Sequence, residues 1–124
     1  MGFLVLLEER EKRKERRRSM ALQEAKRLSH LLAQRFSYER LYLFGSALRG
    51  GRFSGHSDID LVIKGLNRDL FLKAYAFLIK ESKFSIDLKP WELLDGQVRA
   101  KVEREGVVLY EKEPINPIGD RLGD

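Results

Sequence analysis

Hydrophobic and polar residues recur with two different periods along the chain, and these periods predict its helices and strands. Apolar positions return every three or four residues over residues 21–36 and again over residues 70–78, which is typical of amphipathic helices. A shorter segment, residues 97–105, has the same period with Val98 and Val102 as its inward positions, and Gly106 follows as a stop signal. We therefore expect three helices.

Four other segments are short and typical of strands. Residues 41–44 and 107–110 are mostly apolar runs, residues 58–63 combine acidic and apolar positions, and residues 84–89 alternate strictly until Pro90. Because helical and extended segments alternate along the chain, we expect a small α/β (α+β) domain in which helices pack on a β-sheet.

Two carboxylates stand one residue apart in the second strand segment. Residues i and i+2 of a strand project from the same face, about 6.5–7 Å apart, so Asp58 and Asp60 point together while Ile59 and Leu61 point into the core. Close carboxylates repel each other, and a divalent cation such as Mg²⁺ relieves the repulsion because it prefers hard oxygen ligands. The spacing favours a site for a pair of such cations.

A Gly45-Ser46 turn ends the first strand segment and suits a phosphate group. Glycine lets backbone N–H groups approach an anion, the serine hydroxyl adds a donor, and a helix beginning just after the turn would favour negative charge. Arg49 is a further candidate for contact with phosphates, the alternative being an exposed loop arginine. Together with the acidic pair, these residues indicate a site for a nucleoside triphosphate and its metals.

These residues resemble a known signature. Gly45-Ser46, the segment Ser57-Asp58-Ile59-Asp60-Leu61 and the later Asp87 are similar to the motif of minimal nucleotidyltransferase domains of the DNA polymerase beta superfamily, over about residues 21–110. The resemblance implies that superfamily's fold, with a small mixed sheet. One departure is that eleven residues separate Ser46 from Asp58, about one more than in typical relatives.

The resemblance also implies an activity and a partner. Asp58 and Asp60 would bridge two Mg²⁺ ions, Asp87 would complete the catalytic metal site, and Gly45 and Ser46 would hold the phosphates of ATP or another triphosphate. Small proteins similar to this one are often paired with a helical HEPN-type toxin, which they neutralise as antitoxins and in some cases adenylylate. The resemblance therefore implies transfer of a nucleotide, AMP first among the candidates, to a hydroxyl of a partner protein.

Composition narrows the remaining possibilities. The absence of cysteine excludes disulfides and cysteine-ligated zinc and favours a cytoplasmic protein. The longest apolar run, residues 3–7, is far too short to span a membrane, so we expect no membrane contact. We expect three parts: a basic extension (residues 1–20), the nucleotidyltransferase domain (residues 21–112) and a flexible tail (residues 113–124).

The extension allows more than one interpretation. Residues 8–18 contain seven lysines or arginines against four acids, and the net charge of the whole chain is +5. A solvated helix is one interpretation, a docking arm for a partner or nucleic acid is another, and Met20 as the natural start of the protein is a third. Two further alternatives to the enzyme stay open: an antitoxin that only masks its partner, and a nucleic-acid-binding protein that acts through the arm. If the chain is an enzyme, the acceptor is presented by another chain or across an oligomer.

Overall fold

The computed structural model describes residues 2–45 and 59–113. Four strands and three α-helices lie within these ranges, together with two short 3-10 turns, Arg68–Leu70 and Trp91–Leu93. In chain order the main elements are α1 (Gly2–Arg35), β1 (Arg40–Phe44), β2 (Ile59–Lys64), α2 (Phe71–Glu81), β3 (Ile86–Pro90), α3 (Gly96–Glu105) and β4 (Val107–Glu111).

The four strands form one mixed sheet in the order β3-β2-β1-β4. The central strand β1 is antiparallel to both β2 and β4, whereas β2 and β3 are parallel. A parallel pair needs a crossover between its strands, and α2 lies in that connection. The predicted α/β fold, a small mixed sheet with helices packed on it, is confirmed.

Side chains along each strand alternate between the two faces of the sheet, and different helices cover the two faces. One face packs on α1 and α2 and forms the main core, to which the strands contribute Leu41, Leu43, Ile59, Leu61, Ile63, Ile86 and Leu88. The opposite face holds a smaller cluster in which Tyr42 and Val62 are covered by Val102 of α3. Residues that alternate with the main core therefore face α3, where they are less completely covered.

Helix α1 runs along the sheet and continues beyond it. Near its C-terminal end, the Tyr38 hydroxyl donates a hydrogen bond to the carbonyl of Ser29. Further towards its N-terminus, the Glu24 carboxylate accepts a hydrogen bond from the backbone N–H of Lys83, just ahead of β3. The helix thus reaches the sheet end at which β2 and β3 begin. Residues before Ala21 extend past that end, and this helix begins at Gly2 rather than at residue 21 as its periodicity suggested.

Smaller departures from the predicted elements have local causes. Asn67 accepts a hydrogen bond from the N–H of Asp69 and so caps the 3-10 turn that precedes α2. In α3 the inward position predicted for Val102 is correct, but the one for Val98 is wrong, since that side chain is 37% exposed. No helix within the described ranges combines the length and the apolar character needed to cross a membrane.

Candidate active site

Asp60 and Asp87 stand opposite each other on neighbouring strands. In the parallel pairing of β2 with β3, Asp60 is the direct partner of Asp87. Their strand neighbours are buried on the face covered by α1 and α2, so both carboxylates project from the opposite face. Adjacent strands are about 4.8 Å apart, which places the two acids in one small volume. The structure therefore brings together two of the three predicted carboxylates.

Gly45 lies against the carboxylate of Asp60. The end of β1 pairs Phe44 with Asp60, and Gly45 then turns with a φ of +93°. A β-carbon added to Gly45 would lie 2.2 Å from Oδ2 of Asp60. Only glycine combines this positive φ with such a close approach at low cost. The turn that the sequence marked as a phosphate site is thus in contact with an acid of the proposed metal site.

Lys89 is a site residue that the sequence reasoning missed. Its ammonium group donates a hydrogen bond to Oδ2 of Asp87 and forms an ion pair with it. This hydrogen bond is the main reason that the pKa of Lys89 is raised, and the charge of Asp60 acts in the same direction. The signal was present in the alternation of β3, because Lys89 is two residues from Asp87 and must share its face.

A cleft of about 230 Å³ is lined by Asp60 and Lys89, whereas Asp87 is not among its lining residues. Asp60, Lys89 and the backbone of Gly45 line one part of it, and Leu94 and Val98 line another. The wall is thus polar on the sheet side and apolar on the α3 side. A charged group entering the cleft would meet both an anionic and a cationic side chain, whereas Leu94 and Val98 offer an apolar surface.

A larger cavity of about 550 Å³ lies at the other end of β2 and β3. Its lining is mainly apolar and includes Ile63, Phe71, Pro90 and Leu93. Asp60 and Asp87 are not among its lining residues. The neighbouring Trp91 stacks on Tyr42, with ring centroids 5.6 Å apart. This tryptophan therefore covers the α3 face of the sheet.

The remaining predicted site residues, Ser46, Arg49 and Asp58, lie outside the described residues, as does the helix expected just after the turn. Within residues 2–45 and 59–113 no group of three acidic, histidine or cysteine side chains is placed to hold a metal. The donors that are described do fit Mg²⁺ in kind, because Asp60 and Asp87 supply hard carboxylate oxygens. The three-aspartate metal site stays a prediction.

Comparison with known proteins identifies the family. No curated protein matches the chain. The chain is similar in structure to a toxin–antitoxin solved with AMP-PNP, with 20% identity, 78% of each chain covered and a TM-score of 0.58. A variant of the toxin–antitoxin MntA-HpeT is 18% identical in sequence, with 78% of each chain covered and a TM-score of 0.56. A protein of Sulfolobus solfataricus provisionally assigned as a nucleotidyltransferase is 17% identical in sequence. The similarity covers 80% of this chain and 87% of that chain, with a TM-score of 0.52. The family model described as "Polymerase beta, Nucleotidyltransferase" matches residues 26–115, more than half of the chain, and the chain belongs to this family.

Proposed function

We propose that this chain is a minimal nucleotidyltransferase that transfers AMP from ATP to a hydroxyl group of a partner protein, and that it acts as the antitoxin of a helical, HEPN-type toxin. The observation that carries the proposal is the pairing of Asp60 with Asp87 on adjacent parallel strands, with Asp60 lining a cleft beside Gly45. Membership of the family supplies the reaction class, nucleotidyl transfer.

Each residue of the site has a separate proposed role in the transfer reaction. Asp60 and Asp87, with Asp58, would hold two Mg²⁺ ions, which when bound neutralise charge on the triphosphate and on the attacking oxygen. The acceptor oxygen forms a bond to the α-phosphorus while the bond to pyrophosphate breaks. Asp87 would take the proton of the acceptor hydroxyl, and the ammonium of Lys89, which donates a hydrogen bond to Asp87, would turn towards the phosphates.

The nature of the partner rests on proteins of similar fold. Two of them were solved as toxin–antitoxins, one with AMP-PNP, an analogue of ATP. The MntA-HpeT variant carries glutamates in place of two aspartates two positions apart, the same spacing as Asp58 and Asp60. These parallels support a toxin as the acceptor and ATP as the donor for this chain.

The test is transfer of label from α-labelled ATP. The chain is incubated with Mg²⁺, the labelled ATP and the product of the neighbouring gene, and the label on that product is measured. We expect labelling, and we expect Asp60→Asn to reduce its rate at least about 100-fold, as is usual when one group that stabilises transition-state charge is lost. Asp69→Asn is the matched control, since it makes the same chemical change in the exposed turn before α2 and should leave the rate unchanged.

Two outcomes would contradict the enzyme. Undiminished labelling by the Asp60→Asn protein would remove this aspartate from the reaction. Absence of label with all four nucleoside triphosphates, together with full neutralisation of the partner by Asp60→Asn, would establish the alternative function. In that case the chain masks its partner without chemistry, and the ion pair between Lys89 and Asp87 is its resting arrangement.

A further inference from the structure

The part of α1 that extends past the sheet has its charges sorted by side. At about 100° per residue, Arg10, Arg13 and Arg17 fall within an arc of about 60° around the helix. Three of the four acids, Glu8, Glu11 and Glu15, fall together on a different side, about 100–160° from Arg10, whereas Glu9 lies about 40° from Arg13. We call the row formed by Arg10, Arg13 and Arg17 the arginine face. The basic excess of the extension is therefore not spread evenly over its surface.

The arginine face is exposed and its members are neighbours of like charge. All three side chains are exposed, and none of them takes part in a salt bridge to another described residue. Residues three and four apart are adjacent on a helix, so Arg13 lies next to both Arg10 and Arg17, and their repulsion opposes helix formation. An external polyanion would relieve that repulsion.

The other side of the same segment is built differently. Lys12 has Glu8 four residues before it, Glu9 three residues before it and Glu15 three residues after it. Opposite charges three or four residues apart stabilise a solvent-exposed helix. Glu9 also stands four residues before Arg13, but no acid stands three or four residues from Arg10 or Arg17. Solvation alone would explain the surroundings of Lys12 but leaves Arg10 and Arg17 unexplained.

The extension leaves the domain at the sheet end at which β2 and β3 begin. Glu24 binds the backbone just ahead of β3, whose second residue is Asp87, and α1 continues from there to Gly2. Residues 2–19 correspond to about 27 Å of helix at 1.5 Å per residue. A ligand lying along the arginine face would therefore approach the sheet end at which Asp60 and Asp87 lie.

The residue types of the extension favour a nucleic acid over a membrane surface as the anionic partner. A helix that binds a membrane surface has an apolar side along its length, and residues 8–19 contain no apolar residue. The exposed apolar residues of the extension, which include Phe3 and Leu4, are confined to residues 3–7 at its far end, apart from Met20 where it meets the domain. Arginine is the side chain best suited to phosphate, because its planar guanidinium donates two parallel hydrogen bonds. A regular row of three arginines fits a regular row of phosphates.

We propose that the arginine face binds the phosphate backbone of a nucleic acid and holds it near the sheet end at which β2 and β3 begin. This binding site is separate from the nucleotide site and does not depend on the identity of the protein acceptor. Backbone contacts of this kind position a nucleic acid without reading its sequence. Affinity should therefore depend strongly on salt and little on sequence.

The test compares two double variants by fluorescence anisotropy with a labelled RNA and a labelled DNA duplex, each roughly 20 nucleotides or base pairs long so that several phosphates can be contacted at once. Arg10→Gln with Arg17→Gln removes two charges from the arginine face, and Lys12→Gln with Arg16→Gln removes two charges from another side of the same segment. Glutamine is a good helix former, so both variants retain α1, as circular dichroism would verify. We expect the first variant to lose at least about tenfold in affinity and to lower the salt slope by about 2, one phosphate contact per arginine. The second variant should change affinity less than about twofold.

Several results would overturn the proposal. Equal losses in the two variants would mean that only total charge matters and that no binding face exists. Absence of binding to both RNA and DNA in the unmodified chain at about 50 mM salt, where phosphate contacts are strong, would also overturn it. So would binding to anionic lipid vesicles that is stronger than binding to either nucleic acid. If only one nucleic acid binds and the arginine variant alone weakens it, the proposal holds and the class of nucleic acid is identified.

Discussion

Gly45 and Asp60 are in such close contact that no other residue fits at position 45 without a change. Two features of this turn act together: the positive φ of Gly45, and the 2.2 Å that would separate an added β-carbon from Oδ2 of Asp60. The contact joins the end of β1 to the acid on β2. The position of the Asp60 carboxylate thus depends on the absence of a side chain at residue 45.

We expect Gly45→Ala to lower the free energy of unfolding by about 2 kcal/mol, since both backbone strain and a clash contribute. The measurement is urea unfolding followed by circular dichroism. Gly96→Ala is a suitable control, because a β-carbon at Gly96 meets no atom within 4 Å and α3 begins there. Equal stability of Gly45→Ala and the unmodified protein would contradict the geometry of this turn.

A double-mutant cycle separates the two causes. In an Asp60→Ala background the carboxylate is gone, so Gly45→Ala should cost about 1 kcal/mol less than it does in the natural sequence. An identical cost in both backgrounds would assign the whole effect to the backbone conformation of Gly45. The cycle therefore measures the contact between the turn and the acid.

The sequence was sufficient to predict which way the two acids point. Because side chains alternate between the two faces of a strand, Asp60 must point away from the face that holds Ile59 and Leu61. Asp87 must likewise point away from the face that holds Ile86 and Leu88. These four apolar residues are buried as expected. Alternation is a local property, so it can be read without knowing the fold. The roles of these acids, and those of Ser46, Arg49 and Asp58, stay predictions.

Relationships between strands could not be read in this way. The direct pairing of Asp60 with Asp87 depends on the sheet order and on a parallel register, which no local pattern specifies. The contact of Gly45 with Asp60 likewise arises only when β1 and β2 pair. Lys89 was within reach of the same alternation that located Asp87, but its ion pair requires the side-chain conformation that the structure supplies.

Metal and nucleotide should stabilise the folded protein. A ligand that binds only the folded state at a hundredfold excess over its Kd adds about 2.7 kcal/mol, so Mg²⁺ with ATP should raise the Tm. Asp60→Asn with Asp87→Asn should abolish this rise, because the proposed ligands are lost. Without ligand the double variant should differ from the natural protein by only about 0–1 kcal/mol, since the ion pair with Lys89 that it loses is partly exposed. A rise in Tm that persists in the variant would place the metals elsewhere.

Lys89 should compete with Mg²⁺ for Asp87. We expect Lys89→Met to lower the Mg²⁺ concentration needed for half of the Tm increase when no nucleotide is present, because the ammonium no longer occupies the carboxylate. The loss of stability without metal should be small, about 0–1 kcal/mol, since the pair is partly exposed. Lys73→Met, an exposed change on α2, serves as the control. An unchanged or weaker response of Lys89→Met to Mg²⁺ would show that the ion pair does not obstruct the metal.

Glu24 should make the attachment of α1 sensitive to acid. Its carboxylate is 6% exposed and accepts hydrogen bonds from the Arg27 guanidinium and from the N–H of Lys83. The bond from Arg27 is the main cause that holds the pKa of Glu24 below its ordinary value of 4.5, while burial acts in the opposite direction. A lowered pKa in the folded state means that the carboxylate stabilises the fold above pH 4.5, and that this stabilisation is lost as the pH falls through the folded-state pKa.

Replacement of Glu24 by glutamine should therefore lower the free energy of unfolding at pH 7 by about 1–3 kcal/mol, because charged hydrogen bonds become neutral or are lost. The difference from the natural protein should shrink as the pH falls below 4.5, as urea unfolding at a series of pH values would show. Glu9→Gln, on the exposed part of the same helix, should leave stability unchanged at every pH. A Glu24→Gln deficit that does not shrink as the pH falls below 4.5 would mean that side-chain shape rather than charge secures α1 to the segment before β3.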